Sequence, residues 1–419
     1  MSYATHIVCK TCNNSFTLGA INFCPKCGRP GEVSSRNWTL EVEYDWQTLK
    51  KDITKKHLKK SNTIWRYLPL LPVKKKDIIL SLGEGMTPLS RCNNIGKKWG
   101  LTNLYIKDET KNPTGSFKDR MIAVTLQKAR EFNNDIILIV SDGNLGASGA
   151  AYCGKQGNVQ CLIMTYPHIT KAKLLQMLIH GGRVFDVRGS LKERVDLFLE
   201  LGKRRGWYVV NYDSIGNPYA VEGYKTIAYE IAEQLEWQAP EHVVVPTGSG
   251  EGISGVYKGF KEFYNLGWID KVPRIHGAQV AGNDPLVRAA EQKADDIIPL
   301  AEMKPTIVGG INTDITGYIA LKAVQSSEGT GITVDDDEAL EGVRQMAMHE
   351  AIYTEPASGA ALYGVKKLLE RGVISPEETV VCVVTSYGLK DLNATKKIVK
   401  EPYQIRASVE EFETKLGVN

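Results

Sequence analysis

The chain has 419 residues, of which 42% are hydrophobic and 24% charged, and its formal net charge is +4. That length accommodates two or three domains around a large core, and the composition is ordinary for a soluble globular protein. No apolar run reaches the length of a membrane span, and the N-terminus lacks the charged-then-apolar layout of a signal peptide, which argues against membrane and secreted classes and for the cytoplasm. The basic excess is local, as in Lys50-Lys51, Lys55-Lys56, Lys59-Lys60 and Lys74-Lys75-Lys76. Without interleaved aromatic residues these runs read as a solvated face, so no nucleic-acid partner is expected.

At the front, Cys9-x-x-Cys12 and Cys24-x-x-Cys27 are separated by eleven residues. Each pair brings two thiolates to one tight knuckle, and two knuckles complete a tetrahedral sulfur site. Two redox dithiols or a disulfide pair are the alternatives. A redox motif belongs beside a βαβ pattern, which this stretch lacks. A structural zinc ribbon with ligands Cys9, Cys12, Cys24 and Cys27 is therefore expected. Four thiolates leave no open position for catalysis by the metal. Pro69, Pro72 and the surrounding lysines read as a connector to the enzyme body. The other cysteines, at 92, 153, 161 and 382, read as buried thiols.

From about Leu104 onward, short β-branched runs alternate with helical patterns. Strands are expected at 104–106, 136–140, 159–164, 183–187, 208–211, 243–245, 275–280 and 380–385. Helices are expected from about Lys118 and at 147–152, 174–180, 191–205, 224–235, 335–350 and 360–369. Such βα alternation gives parallel sheets with helices on both faces. The first helix opens on Asn112-Pro113-Thr114-Gly115-Ser116-Phe117-Lys118-Asp119-Arg120. This turn either enters a helix with a solvated first-turn lysine or holds a lysine amine against an aldehyde cofactor.

Ligands in these folds sit at the carboxyl ends of strands. Three such ends carry notable residues: Ser141-Asp142-Gly143-Asn144, Thr247-Gly248-Ser249-Gly250-Glu251-Gly252, and Thr385-Ser386-Tyr387-Gly388. Alternate glycines before a helix let backbone N–H groups converge on an anion. Alone, such a turn is more often plain loop chemistry. It matches neither a P-loop nor a dinucleotide fingerprint.

In order along the chain, several pieces together resemble the threonine synthase family of pyridoxal phosphate enzymes, of the tryptophan synthase β-subunit fold. They are 81–89 (Ser-Leu-Gly-Glu-Gly-Met-Thr-Pro-Leu), Lys107-Asp108-Glu109, the Lys118 turn, Ser141 to Asn144, and Asn217-Pro218-Tyr219. Further on come Glu222-Gly223-Tyr224-Lys225-Thr226, Glu355-Pro356-Ala357-Ser358 and Gly388-Leu389-Lys390-Asp391. The similarity spans about residues 65 to 395, and members of this family also carry N-terminal zinc ribbons. It implies that Lys118 holds the cofactor as a Schiff base and shuttles the α- and β-protons. Phe117 would flank the cofactor, Asn144 would bond its 3′-oxygen, and Gly248, Ser249, Gly250, Glu251 and Gly252 would hold its phosphate. Thr385 would offer the ring nitrogen a neutral hydroxyl. Ser141, Asp142, Gly143 and Asn144, with Ser116 close by, would cradle the substrate.

The implied fold is α/β, of fold-type II: two three-layer α/β domains with mostly parallel sheets plus a small N-terminal zinc ribbon. The expected division is 1–35 ribbon, 36–80 connector, 81–128 with 216–400 large cofactor-binding domain, 129–215 small domain, and 401–419 tail. A homodimer acting on a small amino acid is expected, with pyridoxal 5′-phosphate and structural Zn2+ as cofactors. The implied reaction converts O-phosphohomoserine and water to threonine and phosphate. Five positions depart from the family pattern. Leu145 replaces a hydroxyl, Asp142 adds negative charge, Ala220 stands where an arginine binds the substrate phosphate, and Ser249 and Glu251 alter the glycine loop. Lys225 or Arg274 is the expected compensating cation. A serine/threonine ammonia-lyase or a β/γ-replacement synthase is the second reading, and a non-catalytic sensor the third.

Overall fold

The computed structural model describes the chain except residues 1, 30, 31, 33, 59, 142, 166–168, 190, 211–216 and 418–419. At the front, β1 (Ala4–Cys9) pairs antiparallel with both β2 (Ser15–Thr17) and β3 (Leu40–Tyr44), in the order β2-β1-β3. The ribbon sheet thus runs on to Tyr44 instead of stopping near residue 35. Its alternation explains why: Leu40, Val42 and Tyr44 are buried while Glu41 and Glu43 are less so, the pattern of a strand with one face on the core. Residues 64–70, expected as connector, are largely buried by Ile64, Trp65, Tyr67, Leu68 and Leu70.

The short edge strand β4 (Leu89–Arg91) runs antiparallel to β5 (Asn103–Asp108). The chain then leaves to build a second sheet from β6 (Ile136–Val140), β7 (Gln160–Thr165), β8 (Arg183–Asp186) and β9 (Tyr208–Val209). All are parallel, in the order β8-β7-β6-β9. It returns through β10 (His242–Pro246), β11 (Arg274–Val280), β12 (Gly331–Val334) and β13 (Thr379–Val384) to complete a six-stranded sheet, β12-β11-β10-β13-β5-β4. Only β4 breaks its parallel run. The central strands β10 and β13 are buried on both faces, which is why they read as continuous β-branched runs rather than alternating ones.

Two helices join the sheets. Lys118–Glu131 buries eleven of its 14 residues, and Pro218–Gln234 crosses it. The crossing point is Gly223, where an added Cβ would lie 2.2 Å from the Arg120 carbonyl oxygen. Only glycine permits that approach. Beneath it lies a buried ion cluster. Arg120 forks onto Glu109 and Glu230, and Lys107 donates to Glu230 at 2.7 Å. Among the described residues no helix is long and apolar enough to cross a membrane.

Candidate active site

The parallel strands of both large sheets end at one cleft of about 460 Å3, as expected for an α/β fold. Lys118 lines it, with Val140, Ser141, Gly143, Asn144 and Leu145 from the end of β6 and Gly248, Ser249 and Glu251 from the end of β10. A recess of about 70 Å3 shares Lys118, Asn144, Gly248 and Ser249 and adds Phe117, Gly250, Gly252 and Thr385. Residues expected from distant sequence segments thus come together around one amine.

Lys118 begins its helix, and its Nζ stands 5.0 Å from the Phe117 ring centre and 5.6 Å from that of Tyr224. The turn before it is held by Asp119, which accepts from the Thr114 backbone and hydroxyl at 2.7 Å each and from Ser148 at 2.6 Å. Ser116 is fully buried and lies behind the cleft wall. Gly115 turns the chain at φ +74°, and the Ser116 hydroxyl accepts from the Lys118 N–H at 3.3 Å.

The helix expected from Ala147 begins earlier, at Asn144. Ser141 accounts for the early start: its hydroxyl accepts the Gly143 and Gly146 N–H groups at 3.0 Å each, satisfying donors that a helix start leaves over. Asp142 lies outside the described residues. Asn144 donates to Glu355 at 2.7 Å and accepts from Lys390 at 2.9 Å, so both ends of its amide are positioned. Glu355 also pairs with Lys173 at 2.5 Å. Burial would raise the Glu355 carboxyl, but Lys173 holds it below the usual range.

In the glycine loop, Gly250 has φ +101°, and a Cβ there would lie 2.5 Å from the Ala320 side chain. At Gly252 a Cβ would meet Phe117 at 3.0 Å. Both positions require a bare backbone at the N-terminus of the Glu251–Asn265 helix, where unpaired N–H groups and the helix dipole favour an anion. Burial raises the Glu251 carboxyl, against the opposing pull of Lys118. Thr385 caps β13, and its hydroxyl lies 3.3 Å from that of Ser358.

The expected compensating cations lie elsewhere. Lys225 is fully buried among Glu222, Glu262 and Tyr44, and Arg274 opens β11, at the end away from the cleft. Ala220 is fully buried. Instead, Lys173 and Lys397 line the cleft. Trp38 also lines it, which no sequence signal announced. The ribbon reaches both sides here: Asn22 donates to the Val209 carbonyl at 3.0 Å, and Tyr219 donates to the Gly19 carbonyl at 3.1 Å.

In the ribbon, the sulfurs of Cys9, Cys12, Cys24 and Cys27 lie within 4.8 Å of one another. Separations of 3.3, 3.6 and 3.7 Å occur among them. Four sulfurs placed tetrahedrally about 2.3 Å from a zinc ion would stand about 3.8 Å apart. The Asn14 amide donates to Cys12 at 2.9 Å and lowers that thiol to about 6.

These features define a pyridoxal-phosphate enzyme fold, and the chain belongs to the pyridoxal-phosphate dependent enzyme family, whose model matches residues 80–386. Threonine synthases are among its relatives. The chain is 39% identical to the threonine synthase of Methanocaldococcus jannaschii over 92% of its own length and 96% of that protein. It is 35% identical to the threonine synthase of Methanosarcina acetivorans over 97% of each. Among solved structures, maize serine racemase superposes with a TM-score of 0.64 at 21% identity, covering 74% of this chain and 90% of that one. That likeness concerns the fold.

Proposed function

We propose that the protein converts O-phosphohomoserine and water to threonine and phosphate, at the cleft around Lys118. The observation that carries this reading is the convergence of Lys118, Asn144, the glycine loop and Thr385 on one cleft. The chain in which they converge aligns nearly end to end with threonine synthases.

Pyridoxal phosphate, when bound, supplies an electron sink for carbanions on the amino acid. The residues present fit it. The Lys118 amine would be the attachment point, the bare loop Gly248–Gly252 would take the phosphate, and Phe117, which packs against Gly252, would flank the ring. Glu355 and Lys390 hold the Asn144 amide at both ends, and its second Nδ2–H would be the donor for the ring's 3′-oxygen. Thr385 would offer the ring nitrogen a hydroxyl rather than a carboxylate, which would leave the pyridine less protonated and moderate its electron withdrawal. Lys118 Nζ then moves protons at the substrate's α- and β-carbons. In the Gly143–Gly146 turn the end N–H groups are taken up by Ser141, and those of Asn144 and Leu145 would meet the substrate carboxylate. In the ribbon we assign the four cysteines to a structural zinc ion.

A diverged ammonia-lyase or replacement synthase is the second reading, favoured by the apolar Leu145 side chain in the cleft lining. The test is to supply O-phosphohomoserine to the holoenzyme and measure phosphate and threonine together. Equal amounts of both are expected. Phosphate without threonine would mark elimination, and neither product would remove the proposed reaction.

A further inference from the structure

The reaction proposed above asks the cleft to hold a dianionic leaving group, and Ala220 cannot do so. Three lysines line the cleft among the described residues: Lys118, Lys173 and Lys397. Lys118 is committed to the cofactor, and Lys397 is exposed at the rim. Lys173 alone is buried, 8% exposed. It projects from the helix Lys171–Ile179 over the turn at Gly143, where an added Cβ would lie 2.8 Å from its Cδ and 3.5 Å from its Nζ. Its ammonium therefore stands in the cleft next to the turn that opens the 13-residue helix Asn144–Gln156, within reach of the far end of a substrate whose carboxylate rests on that turn.

We propose that Lys173 is the cation that binds the substrate's phosphate and stabilises it as it leaves, a role that rests on the reaction proposed above. As the bond from the γ-carbon to oxygen breaks, that oxygen keeps the electron pair, and the growing charge falls next to a desolvated ammonium. Glu355 holds Lys173 in place with one oxygen and Asn144 with the other. One carboxylate thus sets the position of the phosphate anchor relative to a cofactor contact. The substrate carboxylate needs no full cation, because the turn N–H groups suffice for a monoanion.

The test compares holoenzyme with Lys173→Gln and Lys173→Arg. In Lys173→Gln, KM for O-phosphohomoserine and the inhibition constant of inorganic phosphate should both rise about 10- to 100-fold, the loss of one charged hydrogen bond. Threonine, which has the carboxylate and no phosphate, should still perturb the cofactor's visible spectrum with affinity changed by less than about threefold. Lys173→Arg should recover most of the phosphate affinity. Equal weakening of threonine and phosphate would make Lys173 a carboxylate contact and overturn the proposal. So would unchanged phosphate affinity in Lys173→Gln, or a loss seen only in Lys397→Gln. Phosphate binding by calorimetry needs no turnover, so it judges Lys173 even if the wild type proves inactive on O-phosphohomoserine.

Discussion

Replacing Arg120 by methionine should destabilise the protein more than any change on the cleft surface. The guanidinium is fully buried and donates to Glu109 at 2.5 and 2.7 Å and to Glu230 at 2.5 and 2.7 Å. With Lys107, the cluster holds two positive and two negative charges and is neutral. Methionine fills much of the volume but leaves two buried carboxylates facing one lysine. Breaking a buried pair in this way costs about 3–5 kcal/mol. Burial alone would raise the Glu230 carboxyl, yet Arg120 and Lys107 hold it at about 2. A carboxyl depressed on folding contributes stability that is present above its ordinary pKa of about 4.3 and is lost as pH falls toward 2. The deficit of Arg120→Met should therefore be full at pH 7 and shrink as the pH is lowered through that window. Urea unfolding of wild type and variant across pH 3–7 measures it. A deficit below about 1 kcal/mol at pH 7, or one independent of pH, would refute the reasoning.

Three further outcomes follow from the same geometry. Gly250→Ala should fold but purify with less cofactor, because a Cβ at φ +101° strikes Ala320; cofactor content per chain, read by absorbance, decides it. Burial pulls the Lys390 ammonium down to about 8, although Glu355 and Asp119 pull it upward. Turnover should break near pH 8, and Lys390→Arg should abolish the break; because the folded value lies below the ordinary 10.4, this group makes stability rise with pH between about 8 and 10.4. Cys24→Ser should lose the metal, measured as zinc per chain, and should also raise KM, since the ribbon carries Trp38 into the cleft wall. Loss of zinc with unchanged KM would leave the ribbon a purely stabilising element.

The sequence makes the chemistry of the site legible wherever a local rule decides the structure. The bare loop at Gly250 and the strand ends at Val140 and Val245 follow from backbone and burial constraints that act over a few residues. The four-cysteine cluster follows from spacing alone. Long-range packing is less legible. Tyr44 reads as connector until β3 is seen paired with β1, and β12, only four residues long, is too short to stand out. The Lys225 and Arg274 expectations fail for a plain reason: a lysine three residues after Glu222 pairs locally, and Arg274 precedes its strand rather than following it. Lys173 lies on an amphipathic helix with no motif around it, so only the fold reveals that it overhangs Gly143. Glu355 and Lys390 stand in recognisable motifs, but their joint hold on Asn144 depends on three segments meeting.

The central claim is that Lys118 is the amine that holds the cofactor, and borohydride reduction followed by peptide mapping tests it most directly. The holoenzyme should be yellow, lose its visible band on reduction, and yield the cofactor fixed to the peptide that contains Lys118. A cofactor fixed to Lys173 or Lys390 instead, or a Lys118→Ala variant that keeps the colour and the reducible adduct, would contradict it.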